Sequence, residues 1–271
     1  MRAFASALAI SLALAACAAP PVATPAAGDG PARRVASLNL CTDELLLLLA
    51  EPEQIGSLTH LAAQSAESPL AGRAAPYAGN DGTLTDVVSI RPDLVLTMGG
   101  GGDKMRIAER LGIRLLDVPF PETLDDVMAS IRIVAVALGQ EARGEALIAR
   151  IEALRRSSPR DPIDAMWIGI GGRTIVAQGL GAEWMALAGY RQRDLGETQI
   201  RLEQMLVDPP AVLLRSDYRD GQYSRGQAWL THPLARARAG SRDVATDGRL
   251  WLCAGPLMAG EVERLRRERA E

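Results

Sequence analysis

The sequence is short of lysine, histidine and aromatic residues. Of its thirty basic residues only Lys104 is a lysine, His60 and His232 are the two histidines, and aromatics make up 4% of 271 residues. Each shortage excludes a chemistry. A phosphate-binding P-loop needs a lysine behind its glycines, and Schiff-base or Ser-x-x-Lys acyl enzymes need a reactive one. Lys104 sits in no such motif. Two histidines with no His-Glu-x-x-His pattern do not make a multi-histidine metal centre. A net charge of −3 gives no electrostatic ground for binding nucleic acid. What remains, 48% hydrophobic and 23% charged residues, is globular composition in a length that suits one large or two modest domains.

The N-terminus reads as an export signal. Met1-Arg2 is followed by an uncharged apolar stretch over residues 3–16, too short for a comfortable membrane span. It ends Leu14-Ala15-Ala16-Cys17, the form of a lipobox, in which Cys17 is lipidated and becomes the first residue of the mature chain. The other reading is an ordinary secretory signal with an incidental cysteine. Residues 17–32, rich in Ala, Pro and Gly, read as a tether. Export leaves Cys41 and Cys253 as an even remainder in an oxidising compartment, either a disulfide or two buried thiols.

From residue 33 short apolar runs alternate with longer amphipathic ones. Strands are expected at 35–38, 55–59, 94–98, 113–118, 165–170, 174–178 and 211–214. Helices are expected from Thr42 or Asp43 through Leu49, at 84–90, 104–111, 182–188 and 202–206. Strand–helix–strand repetition predicts parallel sheets covered by helices. Residues 122–158 keep a 3.6-residue apolar period (Leu124, Val127, Met128, Ile131, Val134, Leu138, Leu147, Ile151, Leu154) and read as one long helix, with Gly139 a place for a kink. The expected fold class is therefore α/β: a lobe over 33–121 and a lobe over 159–271, each with a parallel sheet, joined by a single long interdomain helix.

Several local words then fall in a telling order: Arg34-Val35-Ala36-Ser37-Leu38 before Thr42-Asp43-Glu44-Leu45-Leu46, then Ile90-Arg91-Pro92-Asp93-Leu94-Val95-Leu96 and the long helix. Leu187-Ala188-Gly189, Leu202-Glu203 before Pro209-Pro210, His232-Pro233-Leu234 and Gly255-Pro256 follow. In order and spacing, from residue 33 to about 265, the chain resembles the helix-linked (class III) periplasmic substrate-binding proteins of ABC importers, the binders of vitamin B12, ferric siderophores and haem. The resemblance implies a binder and no enzyme, with no cofactor of its own. It implies a metal-chelate ligand in the cleft between lobes that close only slightly. It also implies delivery to an inner-membrane permease and its ATPase, and a monomer held in the periplasm by its lipid anchor.

Placed by that resemblance, the cleft loops carry Asn39, Cys41, His60, Met98, Gly99, Arg173, Arg215, Tyr218, Trp251 and Cys253 as ligand-binding candidates. Trp251 offers a flat amphipathic ring, Arg173 and Arg215 suit carboxylates or an anionic chelate, and His60 is either an axial ligand or a hydrogen-bonding residue. Tyr218 and Tyr223 would line the rim. Cys41 and Cys253 would stand on opposite lobes, to be joined by a disulfide across them or to face a soft metal. The family's docking acids fall on Glu203 and, with Thr85 at the usual first-lobe position, on its neighbour Asp86. Glycines 99–102 read as backbone passing close to a neighbour rather than as a phosphate cradle. The competing readings are an exported enzyme, with Cys41 as nucleophile and His60 or His232 as base, and a non-transport sensor on the same fold.

Overall fold

The computed structural model describes residues 30–217, 225–236 and 240–270. Cys17, the signal and nearly all of the tether, Tyr218 and Tyr223 lie outside them. Short apolar runs form β1 (Val35–Ser37), β2 (Ile55–Thr59), β3 (Gly79–Asn80), β4 (Leu94–Met98) and β5 (Leu115–Val118). They pair in the order β3-β2-β1-β4-β5, every pair parallel. Helices α1 (Leu40–Leu49), α2 (Ala71–Ala74), α3 (Leu84–Val87) and α4 (Gly101–Arg110) connect them. Helix α1 starts two residues before the expected Thr42, because the Asn39 side chain caps it by accepting from the Cys41 amide at 2.8 Å.

Residues 122–158 are not one helix. They form α5 (Leu124–Leu138) and α6 (Glu141–Arg156), separated at Gly139 with φ +69°. Arg155 reaches Asp125 at 2.9 Å and Arg132 reaches Glu145 at 3.1 Å, so α6 runs back along α5 as an antiparallel hairpin. At their crossing Gly144 faces Ala135, where a Cβ would meet the alanine methyl at 2.6 Å. Both helices of the hairpin run between the lobes, and α6 is the one that leads the chain into the second. The 16 residues of α6 span about 24 Å rather than the roughly 50 Å of an unbroken helix.

The second lobe contains β6 (Ile163–Ile168), α7 (Leu180–Ala188), β7 (Tyr190–Gln192), α8 (Leu202–Val207), β8 (Val212–Asp217), α9 (Pro233–Arg236), β9 (Arg242–Asp247), α10 (Gly248–Cys253) and α11 (Met258–Ala270). Its strands pair in parallel in the order β7-β6-β8-β9. The expected strand at 174–178 does not form. Its neighbourhood makes only an isolated bridge between Arg173 and Gln199. No helix of the described residues is long and apolar enough to cross a membrane.

Arginine, abundant where lysine is scarce, holds α6 at both ends. Arg143 donates to the Leu49 and Ala50 carbonyls (2.6 and 2.9 Å), closing the C-terminus of α1 in the first lobe. Arg150 makes a forked pair with Glu263 on α11 (2.9 and 2.7 Å), and Arg266 donates to the Leu154 and Leu187 carbonyls, each at 2.7 Å. A planar five-donor group can clasp two acceptors at once, which an ammonium does less well. One buried apolar cluster runs from Leu46 and Leu49 through Ile131, Ile148 and Ile151 to Trp184, Val262 and Leu265, so both lobes share a core with the hairpin.

Candidate functional site

Parallel sheets place ligands beyond the carboxyl ends of their strands, at the point where strand order reverses. Here those points are β1/β4 in the first lobe and β6/β8 in the second. The strand ends oppose one another: Cys41, just after β1, is disulfide-bonded to Cys253 at the end of α10, with Cα atoms 5.3 Å apart. The bond leaves Cys41 no free thiolate, which removes the nucleophile of the enzyme reading and the soft-metal reading of the pair.

Three polar contacts continue this seam. Arg249, at the start of α10, donates to the Ser65 carbonyl of the first lobe at 2.7 Å while its guanidinium is paired with Asp247. Glu44 on α1 accepts from the Leu257 amide at 3.4 Å. Glu183 on α7 accepts from the Leu124 amide at 2.7 Å, so a second-lobe carboxylate caps the first turn of α5. Cys41, Glu44, Met98, Val127, Ser130, Cys253 and Pro256 enclose a cavity of only about 20 Å³, room for no more than a water.

Two acids lie unexpectedly inside this region. Helix α1 is covered nearly all round, and both Asp43 and Glu44 are buried in it. Burial pushes the Glu44 carboxyl up from its usual 4.5 to about 7, against the single opposing bond from the Leu257 amide. Burial likewise raises Asp43 to about 6, although its carboxylate accepts from the Thr59 amide at 3.1 Å and from the Thr59 hydroxyl. Asp43 thus anchors the end of β2, and Asn80, which donates to the Ser37 carbonyl (2.9 Å) and the Ser57 hydroxyl (2.8 Å), anchors β3 beside it.

The expected site residues divide between seam and mouth. Met98 sits with Cys41 and Cys253 in the seam. Asn39 is spent on capping α1. Trp251 lies on α10, not in a loop. Its ring is half-buried 5.5 Å from Trp167, and its Nε1 donates to the Thr246 hydroxyl, so it forms wall rather than a free plate. Arg215 lies within β8 rather than after it. His60 is exposed at the end of β2, its Nδ1 3.2 Å from the Asn80 carbonyl. Arg173 is exposed beyond β6. Gly99 (φ +61°) follows β4 beside Phe120, which is 63% exposed.

The glycine run needs no anion. The Gly101 amide, in the first turn of α4, donates to the Asp117 carboxylate of β5 at 2.8 Å. Asp86 and Glu203 are both exposed in the first turns of α3 and α8. Sequence reasoning missed Glu44, Glu183 and Arg249. Only Glu44 left a signal, as an acid inside the run Asp43-Glu44-Leu45-Leu46-Leu47 three residues from Cys41. Among the described residues no group of three or more His, Cys, Asp and Glu could hold a metal ion.

Residues 35–157 match the family model described as periplasmic binding protein. No curated protein matches the chain by sequence. Solved structures share the whole two-lobed fold. The periplasmic haem-binding protein HutB of Vibrio cholerae superposes with a TM-score of 0.68 at 16% identity, covering 86% of this chain and 97% of that one. The haem-binding RhuT of Roseiflexus sp. RS-1 gives 0.64 at 22% identity (86% and 96%). The vitamin B12-binding BtuF of Vibrio cholerae gives 0.61 at 18% identity (88% and 96%). The resemblance read from the sequence is borne out by that model over residues 35–157, and the two-lobed fold by the solved structures.

Proposed function

We propose that this two-lobed periplasmic binding protein is the capture component of an ABC importer, taking a metal chelate into the cleft between its lobes. The chelate is a ferric siderophore, a cobalamin-type corrinoid or haem. The observation that carries the reading is the opposition of two sheet switch points across a seam, flanked by exposed apolar side chains on strand-end segments. Phe120 is 63% exposed, Val176 61%, Leu252 49% and Ile170 44%. A large ligand with apolar faces would cover them, and Arg173 and His60 at the rim suit its anionic or metal-bearing parts. Structural relatives that bind vitamin B12 and haem support this ligand class.

The test is a panel of coloured chelates. Haemin, cyanocobalamin and a ferric siderophore are each titrated against tryptophan fluorescence and then passed with the protein over a sizing column. Saturable quenching with co-eluting metal is expected for one of them. Absence of both for every chelate overturns the reading.

In the same reading the mature chain is anchored through a lipid at Cys17, acts as a monomer, and docks through Asp86 and Glu203 on arginines of the permease. Reversal to Asp86→Lys or Glu203→Lys is expected to weaken uptake while leaving chelate affinity unchanged. Loss of affinity in either variant would refute their docking role.

A further inference from the structure

The Cys41–Cys253 bond differs from the other interlobe contacts in being covalent and reversible. It joins residues 212 apart in sequence, the second residue of α1 in one lobe to the last of α10 in the other. Around it, among the described residues, the hydrogen bonds Arg249 to Ser65, Leu257 to Glu44 and Leu124 to Glu183 also join the two sides. The shared core and the clasped helix α6 lie behind it. The bond is therefore placed to set the aperture of the cleft without being needed to hold the lobes together.

We propose that the Cys41–Cys253 disulfide is a redox-operated clamp, holding the lobes at fixed aperture when oxidised and freeing the cleft side of the seam when reduced by a dithiol. The two sulfurs differ in access. Cys41 is half-buried at the cleft end of α1, whereas Cys253 is 8% exposed. A dithiol thiolate attacks the Cys41 sulfur, forming a mixed disulfide as the Cys41–Cys253 bond breaks and Cys253 leaves with the electron pair. The second thiol of the reductant, as thiolate, then displaces Cys41. The reductant ends as a disulfide, and the two protein thiolates take up the two protons it lost.

Opening has a defined consequence. With the bond broken, Cys41 and Cys253 separate, the small cavity they close opens to solvent, and the Leu257 amide loses its buried partner Glu44. A bound ligand then leaves faster, because the two cleft walls no longer keep one spacing.

The experiment is hydrogen exchange followed by mass spectrometry on the purified full chain, oxidised and after dithiothreitol, without ligand. Reduction is expected to yield two native-state thiols per chain and to speed exchange at least tenfold in peptides containing residues 253–257. Peptides covering β4 and β8 should stay unchanged. The double variant Cys41→Ser/Cys253→Ser should match the reduced protein without reductant. If that variant does not fold, the wild-type comparison stands by itself. Unchanged exchange at 253–257 after both thiols are released overturns the proposal, as does reduction that proceeds only with exchange of β4 and β8. Because no ligand is present, the clamp fails or stands separately from the chelate reading.

Discussion

The seam and the mouth of the cleft are built from the same strand ends on opposite principles. At the seam every group has a partner across the lobes: Cys41 with Cys253, Glu44 with the Leu257 amide, Arg249 with the Ser65 carbonyl. At the mouth His60, Gly99, Phe120 and Arg173 are exposed and bound, where they are bound at all, within their own lobe. The contrast separates two tasks. On the proposals made above, the seam sets how far apart the walls stand and the mouth meets the ligand. Substitutions at the seam should therefore be read in stability, and those at the mouth in affinity.

The largest effect is expected behind the seam. Trp184 is fully buried, and its Nε1 donates to the Ala254 carbonyl at 2.8 Å, steadying the turn that follows Cys253, where Ala254 itself has φ +47°. Trp184→Ala removes a buried ring and orphans that carbonyl, for a loss of about 4 kcal/mol in urea denaturation. A loss under about 1 kcal/mol would show that the turn is held by the disulfide alone and that the seam is less tightly built than its contacts suggest.

Next comes the pH dependence of the buried acids. A folded-state value raised to about 7 from 4.5 means that the folded chain holds the Glu44 proton more tightly than the unfolded chain. The stabilisation is full below about pH 4.5 and is lost as pH rises through 7. Asp43, raised from 3.8 to about 6, acts in the same direction over a lower window. Asp81, Asp126 and Glu263, held below their usual range by hydrogen bonds from Thr83, Thr123 and Arg150, work oppositely, but only in stronger acid. Stability should thus fall by about 2.5 kcal/mol through Glu44 between pH 5 and 8. Glu44→Gln should flatten that part of the profile. An unchanged slope in the variant would place the titration elsewhere.

These acids show where the sequence stops being readable. Parallel strands announce themselves because a strand buried on both faces is a short apolar run, as at Leu94-Val95-Leu96. Edge strand β9, with only Val244 and Thr246 of its first five residues buried, reads as polar and gives no such notice. The reversal at Gly139 is hidden for another reason: the apolar period continues almost in phase into α6, and phase carries no direction. The clue lay in small residues, Ala135 against Gly144, which let two helices touch. Of the site, the cysteine pair and the strand-end positions were legible from order and spacing. Glu44 and Asp43 were not, because a charged residue on a helix is read as solvent-facing unless the helix is known to be covered on every side.

A smaller effect tests the glycine run at the mouth's edge. A Cβ on Gly101 would come within 2.7 Å of the Asp117 carboxyl carbon, displacing the acceptor of its own amide. Gly101→Ala is expected to cost about 2 kcal/mol in denaturation. Inorganic phosphate should not protect either form from unfolding, and protection by phosphate would restore the anion-cradle reading that the Asp117 contact replaces.

The smallest stability change and the sharpest functional one belong to His60. Its ring is exposed and meets only the Asn80 carbonyl within its own lobe, so His60→Ala should shift stability by less than about 0.5 kcal/mol. If the mouth meets the ligand, the same change should weaken haemin binding about tenfold, the equivalent of one lost bond of about 1.4 kcal/mol. Fluorescence titration of the oxidised protein measures it. Equal affinity with equal stability would move the contact away from β2 and leave the first-lobe side of the ligand to Gly99 and Phe120. A drop in stability instead would assign His60 to the buried network of Asn80 and Asp43, and the line between seam and mouth would have to be redrawn on its near side.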